Sequence, residues 1–182
     1  MDRAAAKQQY LEAIKLAPGN AAFHSAYALH LHSYIPLPVD QIESQYSRAI
    51  ELDPSNAEYH DQLGFFLSFL KLPLVKDPAA RQSIVDQAEA EYKRAIETSP
   101  GESGVYMDYC MFLSEVKGDI DAGEVYVKNH VELGKDYGGT YLNYALSPRG
   151  ITHGTSSFLT ISLIICARAI SFLFISCARD FT

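Results

Sequence analysis

Residues 42–54 read IESQYSRAIELDP and contain the spacing that decides the fold. Ile42, Tyr46 and Ala49 are separated by four and three residues, so they lie on one face of an α-helix. On such a face a small residue lets a neighbouring helix approach, and the aromatic ring fills the space beside it. Pro54 ends the helix because proline lacks an amide hydrogen and clashes with the preceding turn. The stretch predicts an amphipathic helix that packs on another helix.

The same spacing recurs along the chain. Residues 6–18 read AKQQYLEAIKLAP and residues 88–100 read AEAEYKRAIETSP, with Ala, Tyr, Ala and Pro at the corresponding positions. A fourth copy keeps the spacing and changes the last two identities; it consists of Ala122, Tyr126, Asn129 and Gly134. Recurrence in one phase is the sequence signature of a repeat protein. The chain therefore contains several copies of one structural unit.

A second kind of helix is predicted between these copies, at residues 23–31, 59–67 and 105–113. The three segments read FHSAYALHL, YHDQLGFFL and VYMDYCMFL, and Leu63-Gly64 marks a close contact in the second. The alternation resembles the tetratricopeptide repeat, whose pattern W-x2-L-G-x2-Y, A-x3-F, P extends over about 34 residues. The resemblance covers roughly residues 4–146. It implies an all-α fold, in which antiparallel helix-turn-helix repeats stack as a right-handed α-solenoid.

The chain departs from the family pattern in two ways. The tryptophan position holds His24, His60 and Tyr106. The second repeat carries two extra residues around Pro36 and Pro38, and the third carries twelve extra residues within 70–86. We expect both insertions to lie in the turn between paired helices, where they lengthen the helices or add a loop.

Both ends of the predicted array are unusual. Residues 4–16 form a second helix with no first helix before them, and residues 139–146 begin a fifth repeat that stops at Ser147-Pro148. We therefore expect residues 1–147 to be helical repeats with incomplete first and last units, belonging to a longer array. Residues 148–182 are expected to be a separate apolar tail without repeat character.

Composition narrows the function classes. The 182 residues carry a formal net charge of −7, which argues against a nucleic-acid binder because phosphate neutralisation requires a basic surface. Cys110, Cys166 and Cys177 form no paired framework, which indicates a reducing compartment. No signal peptide is visible, so the amino end is cytosolic in character and a cytoplasmic location is expected.

No catalytic, cofactor or metal constellation is recognisable. The phosphate-binding, dinucleotide-binding, zinc-protease and nucleophile-elbow motifs are all missing from the sequence. His24, His30 and His32 are close in sequence, but His30 and His32 point to different helix faces, and His24 and His60 occupy equivalent repeat positions. Packing explains these histidines better than a metal does. The sequence predicts a protein that is not an enzyme and has no cofactor.

The tail contains one candidate transmembrane helix. Residues 158–177 read FLTISLIICARAISFLFISC, which is 20 residues with a single charge and the length needed to cross a bilayer. Arg168 at its centre costs about 2.5–3.5 kcal/mol of insertion free energy, so insertion is marginal. One alternative is an unselected tail, translated from a retained intron or a shifted reading frame, as its abrupt start inside a repeat helix suggests. The other is a buried structural strand or helix.

The resemblance also implies a binding site. Tetratricopeptide arrays use the first helices of successive repeats to line a concave groove that holds a peptide or a partner helix. The positions expected to face this groove are Ala22, Ser25, Leu29, Glu58, Asp61, Gln62, Phe65, Gly104, Met107, Asp108 and Met111. They lack the Lys and Asn set with which some family members grip an acidic carboxyl-terminal peptide.

Two functions follow from these expectations. The first is a non-catalytic protein-interaction scaffold whose groove, apolar with an acidic edge, suits a basic amphipathic segment of a protein partner. The alternative is a tail-anchored adaptor that presents the same groove at an intracellular membrane through residues 158–177. Neither function involves nucleic acid.

Overall fold

The computed structural model describes residues 3–119, 121–123 and 125–126. Across them run six α-helices: α1 (Arg3–Leu16), α2 (Ala21–Leu31), α3 (Val39–Leu52), α4 (Ala57–Phe65), α5 (Pro78–Thr98) and α6 (Ser103–Met111). Residues 121–123 and 125–126 are helical as well. The helices alternate as antiparallel pairs that stack as a right-handed α-solenoid, which confirms the predicted fold class.

The recurring tyrosines lie at the centre of the stack. Tyr46 and Tyr92 are completely buried, together with the small or aliphatic residues that flank them on the same helix face. The Tyr46 ring centroid lies 6.1 Å from that of Phe66, and the Tyr92 centroid lies 5.4 Å from that of Phe112. Each of these two tyrosines therefore contacts an aromatic ring just beyond the next first helix.

The same position is less covered in α1. Tyr10 is half-buried against Tyr27 and His30, with ring-centroid distances of 6.0 and 5.1 Å. Leu11 and Leu16 on this helix are 37% and 77% exposed. The described residues contain no helix on the other side of α1, so within them this surface of the helix is open.

Asparagine and aspartate side chains set the starts of the helices. Asn20 accepts a hydrogen bond from the Ala22 amide at 3.0 Å, and Asn56 accepts one from the Glu58 amide at 3.1 Å. These caps satisfy amide groups that have no partner inside a helix, and they fix where α2 and α4 begin. Asp119 caps the following helix through the Ala122 amide at 3.0 Å, next to Gly118 with φ of +71°. Gly118 and Asp119 therefore form the turn that opens the next helix.

The twelve-residue insertion lengthens the third repeat, as predicted. Helix α4 continues as a π-helical segment, Phe66–Lys71, and a 3-10 turn, Leu72–Leu74. Helix α5 then has 21 residues, whereas α3 has 14. Arg81 closes the turn because its Nη1 donates to the carbonyl oxygens of Leu72 and Val75 at 2.8 and 2.9 Å.

Helix α6 continues in the same way as α4. It passes into a π-helical segment, Phe112–Val116. Residues 66–71 read FLSFLK and residues 112–117 read FLSEVK, so the two widened segments share Phe, Leu, Ser and a final Lys. Their positions in the repeat are equivalent. Both repeats therefore extend their first helix with a π-helical segment.

Ion pairs at equivalent positions join successive repeats. Lys71 Nζ lies 2.7 Å from Glu43 Oε2, and Lys117 Nζ lies 2.7 Å from Glu89 Oε2. Burial alone would raise the pKa of Glu89, but Lys117 and Lys93 outweigh it and lower that pKa to about 2. Each pair ties the end of a first-helix extension to the second helix of the preceding repeat.

The end of the predicted array and the apolar tail cannot be compared with the structure. Asn129, Gly134, the start of a fifth repeat at 139–146 and the tail at 148–182 lie outside the described residues, and so do Cys166 and Cys177. Among the residues that the structure does describe, none of the helices has the length and apolar character needed to span a membrane. The candidate span at 158–177 is not among those residues.

Candidate peptide-binding groove

The first helices α2, α4 and α6 carry every residue that the sequence assigns to the groove. The caps Asn20 and Asn56 are 36 residues apart, which matches the repeat length with its two-residue insertion. This register places Ser25 and Asp61 at equivalent positions of their helices. The assigned residues therefore occur at the same turns of successive repeats.

Three of these residues form one hydrogen-bonded chain across two repeats. Ser25 Oγ donates to Gln62 Oε1 at 2.5 Å, and Gln62 Nε2 donates to Glu58 Oε1 at 2.8 Å. Ser25 is buried, Gln62 is half-buried and Glu58 is exposed. The chain joins α2 to α4, and it ends on a carboxylate that is open to solvent.

A pair of aspartates joins α4 to α6. Burial raises the pKa of Asp61 to about 8, and the nearby carboxylate of Asp108 adds to this through its charge and a hydrogen bond. Glu102 and Glu58 raise the same pKa further through their negative charge. Asp61 therefore stays protonated at neutral pH, and its carboxyl O–H donates a hydrogen bond to Asp108. Asp61 Oδ1 is buried, and it accepts no hydrogen bond from any of the described residues.

Fewer of the assigned apolar side chains are accessible than the sequence suggests. Leu29 is 53% exposed, and Phe65 is half-buried with its ring centroid 5.1 Å from that of Phe69. Met107 and Met111 are only 8% and 9% exposed, so they belong to the buried core. Ala22 and Gly104 are exposed at the ends of their helices. Leu29 and Phe65 are the apolar side chains that a ligand could reach.

Sequence reasoning did not anticipate the bonds made at the tryptophan position. His24 Nε2 donates to the Pro18 carbonyl at 3.1 Å, and His60 Nε2 donates to the Pro54 carbonyl at 3.1 Å. Tyr106 Oη likewise donates to the carbonyl of Pro100 at 2.9 Å. We call this bond the proline clasp. Its signal in the sequence is a constant distance of six residues from the proline to the His or Tyr.

The other ring nitrogen of each clasp histidine contacts a second helix. His24 Nδ1 lies 2.8 Å from Gln45 Oε1, and His60 Nδ1 lies 2.6 Å from Glu91 Oε2. Gln45 and Glu91 directly precede the recurring tyrosines of α3 and α5. The histidines are therefore packing residues with specific partners.

The remaining clustered histidines also make packing contacts. His32 Nε2 lies 3.1 Å from Tyr46 Oη, and the His30 ring centroid lies 5.5 Å from that of Tyr34. Within the part of the chain that the structure describes, no group of three His, Cys, Asp or Glu side chains is placed to hold a metal ion. Each of these histidines already has an aromatic neighbour.

Comparison with known proteins identifies the fold and no more than the fold. No protein-family model matches the sequence, and no curated protein matches it. Among solved structures, the chain is similar to a crystal structure of MamA with a TM-score of 0.57 and 15% identity, covering 97% of this chain and 92% of that chain. A second crystal structure of MamA protein gives a TM-score of 0.53 and 18% identity, covering 72% of this chain and 63% of that one. These likenesses place the chain among all-α solenoids of tetratricopeptide-like architecture.

Proposed function

We propose that this protein is a non-catalytic interaction scaffold that binds a basic, amphipathic segment of a protein partner in the groove of α2, α4 and α6. The observation that carries the proposal is the convergence of four carboxyl groups on this surface. Asp61 is close enough to Asp108, Glu102 and Glu58 for each of them to raise its pKa. The fold is compatible with such a role, because stacked helix pairs form extended concave binding surfaces.

A positively charged ligand would relieve the crowding of negative charge. Asp61 keeps a proton, through which it hydrogen-bonds to Asp108. A lysine or arginine of the partner could take the place of this proton. The arriving cation would pair with both carboxylates at once. Leu29 and Phe65 offer apolar surface beside the acidic cluster. Acidic charge next to apolar side chains suits a helix that is basic on one face and apolar on the other.

The first experiment measures binding of a defined probe to the full-length protein. An 18-residue amphipathic Lys/Leu peptide is titrated by fluorescence anisotropy, and a Glu/Leu peptide of the same length serves as the acidic comparison. We expect only the Lys/Leu peptide to bind, with an affinity that falls as salt is added. Equal binding of both peptides would contradict the acidic groove.

Charge reversal locates the binding surface. Glu58→Lys places a positive charge in the groove. We expect it to lower the affinity for the Lys/Leu peptide by about tenfold, which corresponds to roughly 1.4 kcal/mol of binding free energy. Glu97→Lys is the matched control, because Glu97 is exposed on α5 and the substitution changes the net charge equally. If the two variants lose affinity to the same extent, the effect comes from net charge and the groove is not the binding site.

The pH dependence of binding tests the role of Asp61. A cation that replaces the shared proton must release it, so affinity should rise with pH up to about 8, where Asp61 ionises without a ligand. Asp61→Asn removes this ionisation, and its affinity should not vary over the same pH range. Identical pH profiles for the two proteins would show that the peptide does not contact Asp61.

The sequence also supports a second candidate, in which residues 158–177 anchor the scaffold in an intracellular membrane. The observation in its favour is the run of 20 residues with one charge. Without the anchor, we propose that the scaffold acts in the cytoplasm. The two candidates share the groove and differ only in the role of the tail.

A further inference from the structure

His60 has a hydrogen-bond acceptor at each ring nitrogen. Its Nε2 lies 3.1 Å from the carbonyl oxygen of Pro54, and its Nδ1 lies 2.6 Å from Glu91 Oε2. The His60 and Glu91 side chains are only 5% and 13% exposed, so water competes little for these bonds. A neutral imidazole has one N–H donor, whereas an imidazolium has two. Only the protonated ring can make both contacts.

The equivalent site in the preceding repeat lacks this requirement. His24 has the clasp to Pro18 and contacts the side-chain amide of Gln45. An amide can turn either its oxygen or its NH2 group toward the ring, whereas the Glu91 carboxylate can only accept. The two sites therefore share a geometry and differ in whether the ring must carry a second proton.

The charged groups around His60 favour the imidazolium. Its hydrogen bond with Glu91 is the main cause that raises the pKa of His60 above 6.5, while burial acts in the opposite direction. The Pro54 carbonyl raises this pKa as well, and Arg94 lowers it. Both Glu91 and Arg94 lie on α5, and Arg94 Nη1 pairs with the second oxygen of Glu91 at 2.9 Å.

The turn before α4 and the facing helix α6 present their carboxylates to other side chains. Asp53 in the turn accepts a hydrogen bond from Ser55, and its charge adds to the burial that raises the pKa of Tyr59. Asp108 and Glu102 of the α6 region add to the burial that raises the pKa of Asp61. The protonation of His60 is therefore controlled mainly by the two charged residues of α5.

We propose that His60 is a protonation-dependent link between repeats, which holds α4 to both α5 and the turn of the preceding repeat when the ring is charged and releases one of these attachments when the ring is neutral. The link lies on the helix that carries Glu58, Asp61, Gln62 and Phe65. Because the pKa of His60 is raised by folding, its stabilisation is complete below pH 6.5 and is lost as pH rises through the pKa of the folded protein.

The titration of His60 is measured first, by NMR of the histidine ring protons in the full-length protein. We expect a midpoint above 6.5 in the wild type, a lower midpoint in Glu91→Gln and a higher one in Arg94→Gln. If the two substitutions only disrupted the packing around His60, the His60 midpoint would shift in the same direction in both variants. The proposed link requires shifts in opposite directions. A wild-type midpoint at or below 6.5 overturns the proposal.

Hydrogen exchange tests the conformational consequence. Protection of the α4 amides, corrected for intrinsic exchange, should fall by about tenfold as His60 deprotonates, the factor expected for one hydrogen bond to a charged group. Glu91→Gln should fold, because Gln45 already occupies the equivalent position of α3, and it should remove most of this change. Protection that falls equally in the wild type and in Glu91→Gln would assign the change to Asp61, which ionises in an overlapping range, and would overturn the link.

Discussion

Gly64 shows how closely two helices can be fitted at a single residue. A Cβ atom at this position would lie 3.1 Å from Cε1 of Tyr92, within the space that the ring now fills. Tyr92 cannot easily move away, because it is completely buried, packs against Phe112 and lies 3.2 Å from Ser68 Oγ through its hydroxyl. The absence of a side chain at Gly64 is therefore a condition for the packing of α4 on α5.

We predict that Gly64→Ala lowers the free energy of unfolding by about 1–2 kcal/mol, although alanine favours the helix by nearly 1 kcal/mol. Gly104→Ala is the matched control, since no atom of the described residues lies within 4 Å of its added Cβ and Gly104 is exposed on α6. The control should be neutral or slightly stabilising. Urea denaturation of both variants measures the difference, and equal stability would mean that the Tyr92 ring yields without cost.

Individual residues differ in how far the sequence reveals them. The tyrosines could be predicted because they recur at a fixed spacing, and Gly64 could be predicted because Leu63-Gly64 matches the Leu-Gly pair of the family pattern that the sequence resembles. The proton on Asp61 could not be predicted, because it depends on how close α6 brings Asp108 and Glu102 to α4. Burial of Met107 was missed for the same reason, since apolar character alone does not tell a groove residue from a core residue.

At the scale of the helix, position in the array determines what an identical residue contributes. Tyr46 in α3 has helices on both sides and is completely buried. Tyr10 in α1 is half-buried, and among the described residues its ring neighbours lie on the side of α2. Tyrosines at the same repeat position are thus completely buried in α3 and partly exposed in α1.

Tyr46→Ala should therefore cost about 3–5 kcal/mol of unfolding free energy, and Tyr10→Ala about 1–2 kcal/mol. Chemical denaturation of the full-length protein would compare the two variants. The larger cost must fall on Tyr46. A larger loss for Tyr10→Ala would mean that α1 is covered in solution by a part of the chain or by a second molecule that buries its open face.

Helix positions followed from the sequence, but helix shape did not. Periodicity predicts where α2, α3 and α4 lie, because that signal is local; Asn20 and Asn56 cap the starts of α2 and α4, whereas α3 begins after Pro38 without a side-chain cap. The π-helical segments after α4 and α6 could not be predicted, since they share only the letters FLS and a final Lys. Ser68 Oγ donates to the Gly64 carbonyl at 2.7 Å within the first of them. Such a local back-bond bends a helix, and here the same Ser68 Oγ also lies 3.2 Å from Tyr92 Oη on the neighbouring helix, a contact that the sequence does not reveal.

For the whole molecule, the open question is what residues 158–177 do. The anchored candidate predicts that the full-length chain stays with membranes after alkaline extraction. Substituting Lys for both Ile164 and Ile165 adds about 5–7 kcal/mol to the cost of insertion, so the double variant should be released.

The control for this experiment places the same two charges outside the span. Lys at both Thr152 and Thr155 should leave membrane association intact, because charges at the flank need not enter the hydrocarbon core. Release of the unsubstituted chain would exclude the anchored candidate and would leave the scaffold proposal unaffected. The division of the chain at residue 147 stays a prediction in either case.

The proline clasp determines how far the repeats tolerate changes in length. Each clasp ties a first helix to the turn that precedes it, at a constant distance of six residues, while the insertions of two and twelve residues lie beyond it in the turn within a repeat. A unit that runs from one clasp proline to the next therefore carries its own joint. Such a unit could be duplicated, deleted or transplanted as a cassette, with Pro54 and Pro100 as cut points that keep each clasp within one unit.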